Sequence, residues 1–190
     1  LLIYVGRLDI EKKPQVIVDA FPRLPPELGA KLLLLGEGPL RQEIAAFGDL
    51  NIFTPGFVRD REQLASWLAS ADIYATAFAQ ETFGVSIVEA QASGLPVVGV
   101  AGGALLDRVT GDIARLGPVD DGAAMAENIL EIWRSDLSEL GSKARAHALQ
   151  YGWDQSMAAL FGKVYPAAVG PRSALLSSAV VARAGELAGA

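Results

Sequence analysis

A parallel α/β sheet wound on both faces is the architecture this sequence predicts. The apolar runs at Leu1 to Val5, Lys31 to Leu35, Ile73 to Thr76 and Val97 to Val100 are short and nearly continuous, as expected of strands buried on both sides. Helical segments alternate with them, which implies parallel strands joined by crossovers. The 190 residues are 51% hydrophobic and 20% charged, enough apolar matter for one sizeable core.

Leu1 to Val5 is the first strand, ended by Gly6. Pro14 can open the helix that follows to Phe21, since proline suits a first helical turn. Arg23 to Gly29 is a loop, and Lys31 to Leu35 the second strand. Gly36-Glu37-Gly38-Pro39 turns into a helix from Leu40 to Phe47. Asn51 to Phe53 is a short third strand, Pro55-Gly56 a turn, and Arg61 to Leu68 a helix. Ile73 to Thr76 is the fourth strand. Val85 to Ala92 reads as a helix, with Gly94 as its stop and Pro96 just beyond. Val97 to Val100 is the fifth strand. After Ile113 the chain is expected to be helical. Met125, Ile129, Ile132 and Trp133 mark one face of a helix from Asp121 to Arg134, and Leu137 to Leu149 forms another. Residues 166–190 are rich in Ala, Ser and Gly; they form a tail with a loose helix expected from Ala174 to Leu187.

Two loops carry the chemistry. In the stretch from Glu81 to Ala90, Glu81 precedes a helix start and Glu89 lies about one turn inside it. Gly84 marks a place where backbone can approach a ligand. The N–H groups near Phe83, Gly84 and Val85 can hold phosphate, because a helix start carries free donors and partial positive charge. Carboxylates on either side can accept hydrogen bonds from sugar hydroxyls. Upstream, Gly6-Arg7-Leu8-Asp9-Ile10-Glu11-Lys12 places two cations in the loop after the first strand. Arg can fork onto phosphate oxygens and Lys adds a point charge. Arg7, Gly36, Val58, Glu81 and Gly102 all follow strands, the edge at which parallel sheets bind ligands.

The string ETFGVSIVEAQASGLPVV resembles the E-x7-E motif of retaining, nucleotide-sugar-dependent group 1 glycosyltransferases. Gly6 to Lys12 resembles that family's G-R-L-x-x-E-K motif. The resemblance covers roughly residues 1–165 and implies a Rossmann-like doubly wound sheet, the C-terminal, donor-binding half of a GT-B fold, with a helical C-terminal segment. By the same resemblance, Arg7 and Lys12 grip the donor diphosphate, Glu81 the transferring hexose and Glu89 the ribose. Gly6, Phe83, Gly84, Val85, Gly102 and Gly103 would lie along the donor, with Val58 giving a backbone contact near the base. Asp60 suits the N1 and N2 donors of guanine, which tilts the donor to GDP over UDP or ADP; the alternative for Asp60 is the N-cap of the next helix. The resemblance implies no required metal or cofactor.

Some positions depart from the family pattern. Lys13 stands where the family often has Gly. Leu105 and Leu106 replace a Pro-Glu pair after the glycines, and Ala77 to Gln80 replaces Pro-Ser. Tyr151-Gly152-Trp153 resembles the segment opening the family's last helix.

The absence of cysteine excludes disulfides, thiol catalysis and Cys-based zinc sites, and a lone His147 excludes a histidine metal cluster within this chain. A net charge of −6 argues against a nucleic-acid partner. The partners expected are a nucleotide-sugar donor, a lipid or saccharide acceptor, and an N-terminal domain outside this chain, since Leu1 falls within a strand. No signal peptide or membrane span is visible, so the expected location is cytoplasmic, with attachment to the inner membrane face through the missing domain left open. Gly36-Glu37-Gly38 lacks the third glycine of a dinucleotide fingerprint, and Gly6-Arg7-Leu8 supplies none. A binding module without transfer activity and a nucleotide-sugar epimerase of GT-B form are the rival readings.

Overall fold

The computed structural model describes residues 1–169, which fall into two compact units, residues 1–149 and the helical stretch from Gln150 onward. The first unit is built on a six-stranded sheet in the order β3-β2-β1-β4-β5-β6. Its strands are β1 Leu2–Val5, β2 Leu32–Leu35, β3 Ile52–Gly56, β4 Ile73–Ala75, β5 Val97–Val100 and β6 Ala114–Gly117. Every pairing is parallel.

The helices of this unit are α1 Pro14–Ala20, α2 Arg41–Ala46, α3 Arg61–Ala69, α4 Val85–Ala92, α5 Leu105–Arg108, α6 Gly122–Trp133 and α7 Leu137–Ala148. Successive strand residues point to opposite faces, and here both faces are apolar. Leu2, Tyr4, Leu32, Leu34, Ile73 and Val98 meet Val16, Ile17 and Val18 of α1 and Met125, Ile129 and Ile132 of α6 in one core. Ile3, Leu33, Leu35, Tyr74 and Val97 meet Leu64 and Leu68 of α3 and Ile87 and Ala90 of α4 in the other. That two-sided burial is why the strands read as continuous apolar runs.

Two expectations are corrected. Beyond Ile113 the chain first adds a sixth strand, pairing Val97 with Ala114 through Val100 with Gly117. Its sequence, Ala-Arg-Leu-Gly, is weakly apolar because an edge strand buries less. Pro55 and Gly56 lie inside β3 rather than in a turn. β3 is also an edge, where a strand tolerates proline because one side needs no ladder bond.

In the second unit Trp153–Ala159 forms α8, followed by a π-helical turn over Leu160–Val164 and by α9, Tyr165–Val169. Phe161 and Tyr165 meet as tilted rings with centroids 5.4 Å apart. The helix expected from Ala174 to Leu187 lies outside the described residues.

The sheet order sets the site. The chain winds out from β1 to β3 at one edge, then returns to lay β4 on the other side of β1, with Leu2 beside Ile73 and Ile3 beside Tyr74. Crossovers therefore diverge at the carboxyl ends of β1 and β4, where such sheets open a ligand crevice.

Candidate functional site

The two motif loops meet at this divergence. Tyr74 of β4 is buried; its hydroxyl donates to Ser86 Oγ of α4 at 2.8 Å and lies 3.2 Å from the Val5 carbonyl of β1. Burial pushes its phenol well above the ordinary range, so it stays protonated. Tyr4 does the same work under the other loop. Its hydroxyl donates to the Arg7 carbonyl at 2.8 Å, and burial likewise raises its pKa. A Cβ on Gly6 would stand 2.5 Å from that hydroxyl, so Gly6 lets the loop lie down on Tyr4.

Gly36 and Gly38 press the loop from the side. A Cβ on Gly36 would sit 1.8 Å from the Gly6 carbonyl oxygen, and one on Gly38 would sit 2.1 Å from that of Leu8. The Leu8 N–H also donates to the Glu37 carbonyl at 2.8 Å. The Gly-Glu-Gly turn thus shapes the cationic loop.

Within that loop Asp9 braces both cationic residues. Its Oδ1 accepts the Lys12 N–H at 2.9 Å, and its Oδ2 lies 3.2 Å from Arg7 Nη1. Arg7 Nη2 donates to Glu11 at 2.7 Å, and the side chain is 62% exposed. The Glu11 hydrogen bond raises the Arg7 pKa further. Lys13, to which no contact was assigned from sequence, is the N-cap of α1 in left-handed conformation, φ 52° and ψ 44°. A left-handed position suits the Gly that the family often has there, and Lys13 occupies it with strain. Its ammonium pairs with Asp120 at 2.6 Å.

Lys12 reaches across to the other loop. Its ammonium donates to Glu81 Oε2 at 3.1 Å and sits 3.6 Å from the centre of the buried Phe78 ring, a cation–π contact. Glu81 Oε1 accepts the Thr82 and Gly84 N–H groups, each at 3.2 Å. Burial pushes the Glu81 carboxyl up, but Lys12 and the two N–H donors outweigh it and hold it below its ordinary value. Gly84 is the left-handed N-cap of α4, φ 79°. Its N–H, expected on a phosphate, is engaged by Glu81. Val85 and Ser86 open the helix, and the first N–H groups of an α-helix have no intrahelical partner.

Gly102 and Gly103 lie against the Glu81 loop itself. A Cβ on Gly102 would meet the Ala79 carbonyl oxygen at 2.7 Å, and one on Gly103 the Glu81 carbonyl oxygen at 2.6 Å. The Ala104 N–H donates to that same Glu81 carbonyl at 2.7 Å. Phe83 and Val85 are exposed beside the helix start, with the Arg108 guanidinium 4.5 Å over the Phe83 ring.

The nucleoside side is less assembled. Val58 packs against the core shared by α3 and α4. Asp60 is the N-cap of α3, its Oδ1 accepting the Glu62 N–H at 2.9 Å and the Gln63 N–H at 3.4 Å. Of its two sequence readings, this is the capping one. Glu89, 27% exposed, is 3.0 Å from the guanidinium of Arg61.

Sequence reasoning missed Phe78, Arg61, Asp9 and the two tyrosines. Phe78 had a signal, an aromatic where the family pattern has Pro-Ser; the others depend on the sheet order. An apolar groove of about 180 Å³ lined by Leu1, Leu24, Leu28, Ile129 and Trp133 opens elsewhere. It contains Asp72 and no side-chain cation, so it does not suit an anionic ligand. Among the described residues no group of three His, Cys, Asp or Glu could hold a metal ion, and no helix is long and apolar enough to cross a membrane.

Known proteins resemble this chain in sequence and in fold. Residues 1–135 match the family model described as "Glycosyl transferases group 1". The chain is 33% identical over 175 residues to a D-inositol 3-phosphate glycosyltransferase of Xylanimonas cellulosilytica, covering 84% of this chain and 40% of that protein. A GDP-mannose-dependent phosphatidylinositol dimannoside mannosyltransferase of Mycobacterium tuberculosis is 39% identical over 115 residues, 59% of this chain and 30% of that one. The chain thus spans less than half the length of these relatives. Among solved structures, sucrose-phosphate synthase from Thermosynechococcus elongatus superposes with a TM-score of 0.73 at 29% identity, over 86% of this chain and 44% of that one. Anabaena HepE in complex with UDP and glucose gives 0.68 at 26%, over 78% and 43%. With its Rossmann-like sheet and both motif loops meeting where β1 and β4 diverge, this chain belongs to the group 1 glycosyltransferases.

Proposed function

We propose that this chain is the donor-binding half of a retaining hexosyltransferase. It would take a nucleoside diphosphate hexose of mannose or glucose type, without a metal, and act with an N-terminal domain that supplies most acceptor contacts. The observation that carries this reading is the bond from Lys12 to Glu81, which joins a cation and a carboxylate from the two motif loops at one point. A diphosphate bound there would lie by Lys12 and the helix start of α4, with Arg7 on the same loop as Lys12.

The chemistry follows from charge. As the glycosidic bond breaks, negative charge builds on the leaving diphosphate, and preorganised donors stabilise it most where water is excluded. Lys12 and Arg7 supply fixed positive charge, and the N–H groups of Val85 and Ser86 add the helix-start donors. Glu81, held ionised, accepts hydroxyl hydrogens of the hexose. Glu89 does the same for the ribose diol. A leaving phosphate oxygen takes the acceptor's proton, so no side-chain base is required. GDP remains our first choice of donor nucleotide, ahead of UDP. The named mannosyltransferase relative supports it; the HepE complex with UDP supports the second. We place the enzyme in the cytoplasm. The acceptor class, lipid or saccharide, belongs to the other half.

The test is transfer of radiolabelled sugar from GDP-mannose and UDP-glucose by the complete protein, with the product anomer read by NMR. Labelled product of unchanged anomeric configuration is expected. An inverted product would overturn the retaining assignment. Release of a rearranged sugar without acceptor would identify an epimerase instead.

A further inference from the structure

The Arg61–Glu89 pair is assigned no role by the two motifs, and it joins two helices, α3 and α4, that pack on one face of the sheet. Arg61 is the first residue of α3, and Glu89 lies within α4. The two helices share one core, through Leu64 and Leu68 on one side and Ile87 and Ala90 on the other. Arg61 is itself anchored. Asp60 caps α3 with two N–H bonds, which fixes the backbone from which Arg61 projects.

The contact is one-toothed. Arg61 Nη2 donates to Glu89 Oε1 at 3.0 Å, and the guanidinium side chain is 80% exposed while Glu89 is 27% exposed. A glutamate has three rotatable side-chain bonds, and holding one carboxylate oxygen removes most of that freedom. Arg61 is bonded to Oε1, which leaves Oε2 as the oxygen a ligand would take.

We infer that Arg61 is a positioning residue for the donor's ribose. It holds Glu89 by one oxygen so that the other accepts from the ribose hydroxyls, and in doing so it contributes to selection of a ribonucleotide over a deoxyribonucleotide. This rests on the reading above in which Glu89 meets the ribose. Arg61 acts through Glu89 and needs no contact with the donor.

Calorimetric affinities of the complete protein for UDP, GDP and their 2′-deoxy counterparts test it. A hydrogen bond to a charged group predicts a ribose preference of roughly tenfold or more in the wild type. Glu89→Gln should bring that preference close to one. Arg61→Ala should lower it by roughly threefold, and Arg61→Lys should recover most of the loss. In a Glu89→Gln background, Arg61→Ala should change the ratio no further. Melting of Arg61→Ala should match the wild type, since the side chain lies in solvent.

A wild-type ratio in Arg61→Ala, with the ratio lost in Glu89→Gln, would overturn this inference and leave the donor-site reading standing. Equal weakening of ribo- and deoxyribonucleotides would also overturn it, by placing Arg61 against another part of the ligand. Tighter ribonucleotide binding would show that Arg61 competes with the ribose. If Glu89→Gln keeps the preference, or neither UDP nor GDP binds the wild type, the donor-site reading fails and the inference with it.

Discussion

Lys12 and Glu81, 69 residues apart, are joined by a 3.1 Å hydrogen bond over the buried ring of Phe78. Each side chain is about a fifth exposed. The pair therefore sits where water screens it poorly, and it determines how the site responds to acid. The folded-state pKa of Glu81 lies below its ordinary value. Its ionisation thus adds stability at neutral pH. That contribution is complete above the unfolded carboxylate's pKa, about 4.3, and is lost as pH falls through the lower folded value. Glu81→Gln should lower the urea midpoint at pH 7, and the difference from wild type should shrink steadily below about pH 4.3. Urea titrations across that range check it; a difference that grows on acidification would refute the pairing.

A second expectation concerns the loop that holds Glu81. Gly103 is left-handed, φ 52°, and its missing Cβ would strike Glu81 and Ala79 backbone atoms at 2.6 to 2.9 Å. Gly29 has a similar φ of 54° with nothing within 4 Å. Gly29→Ala should cost only the backbone term, about 1–2 kcal/mol. Gly103→Ala should cost that and about 1–3 kcal/mol more from overpacking. It should also weaken nucleotide binding, because Glu81 must shift. Chemical denaturation and calorimetry of the two variants side by side make the comparison.

Local signals were enough for much of this fold. The bounds of α4 and β5 coincide with their sequence expectations, because left-handed glycines, Gly84 and Gly94, flank the helix and Pro96 precedes the strand. β6 was illegible because Ala114-Arg115-Leu116-Gly117 buries only part of itself at the sheet edge. The site divides in the same way. Arg7, Lys12, Glu81 and Glu89 stand out by spacing, but their partners do not. Which carboxylate meets Lys12, and which cation meets Glu89, depends on β4 lying beside β1 and on α3 packing by α4. Those are long-range facts. Asp60 shows the limit well: a base reader and a helix cap use the same residue at the same place.

The departure at Lys13 gives a clean measurement of backbone strain. Both Lys13 and Asp120 are left-handed, at φ 52° and 62°, and their ion pair is largely exposed. Such a pair contributes about 0–1 kcal/mol. Lys13→Ala loses the pair and keeps the strain. Lys13→Gly loses the pair and relieves it, so the glycine variant should be the more stable of the two by about 1 kcal/mol. Thermal melts of both variants and the wild type, in low and high salt, separate the terms, since salt weakens only the pair that the wild type keeps.

Arg7 is the residue on which the proposed chemistry depends most. Its guanidinium is mostly exposed and held by Asp9 and Glu11, two carboxylates that keep it charged and extended at the end of β1. A diphosphate arriving there can take up the outward N–H groups in a forked bond while Asp9 still anchors the loop. Arg7→Ala in the complete protein should therefore lose about 2–4 kcal/mol of transition-state stabilisation, roughly two to three orders of magnitude in turnover. Arg7→Lys keeps the charge and loses the fork, so it should fall between the two. The loss should appear in kcat as well as in kcat/KM, because charge on the diphosphate grows as the bond breaks. Steady-state transfer rates for the three proteins decide the matter, and wild-type turnover by Arg7→Ala would remove Arg7 from the mechanism.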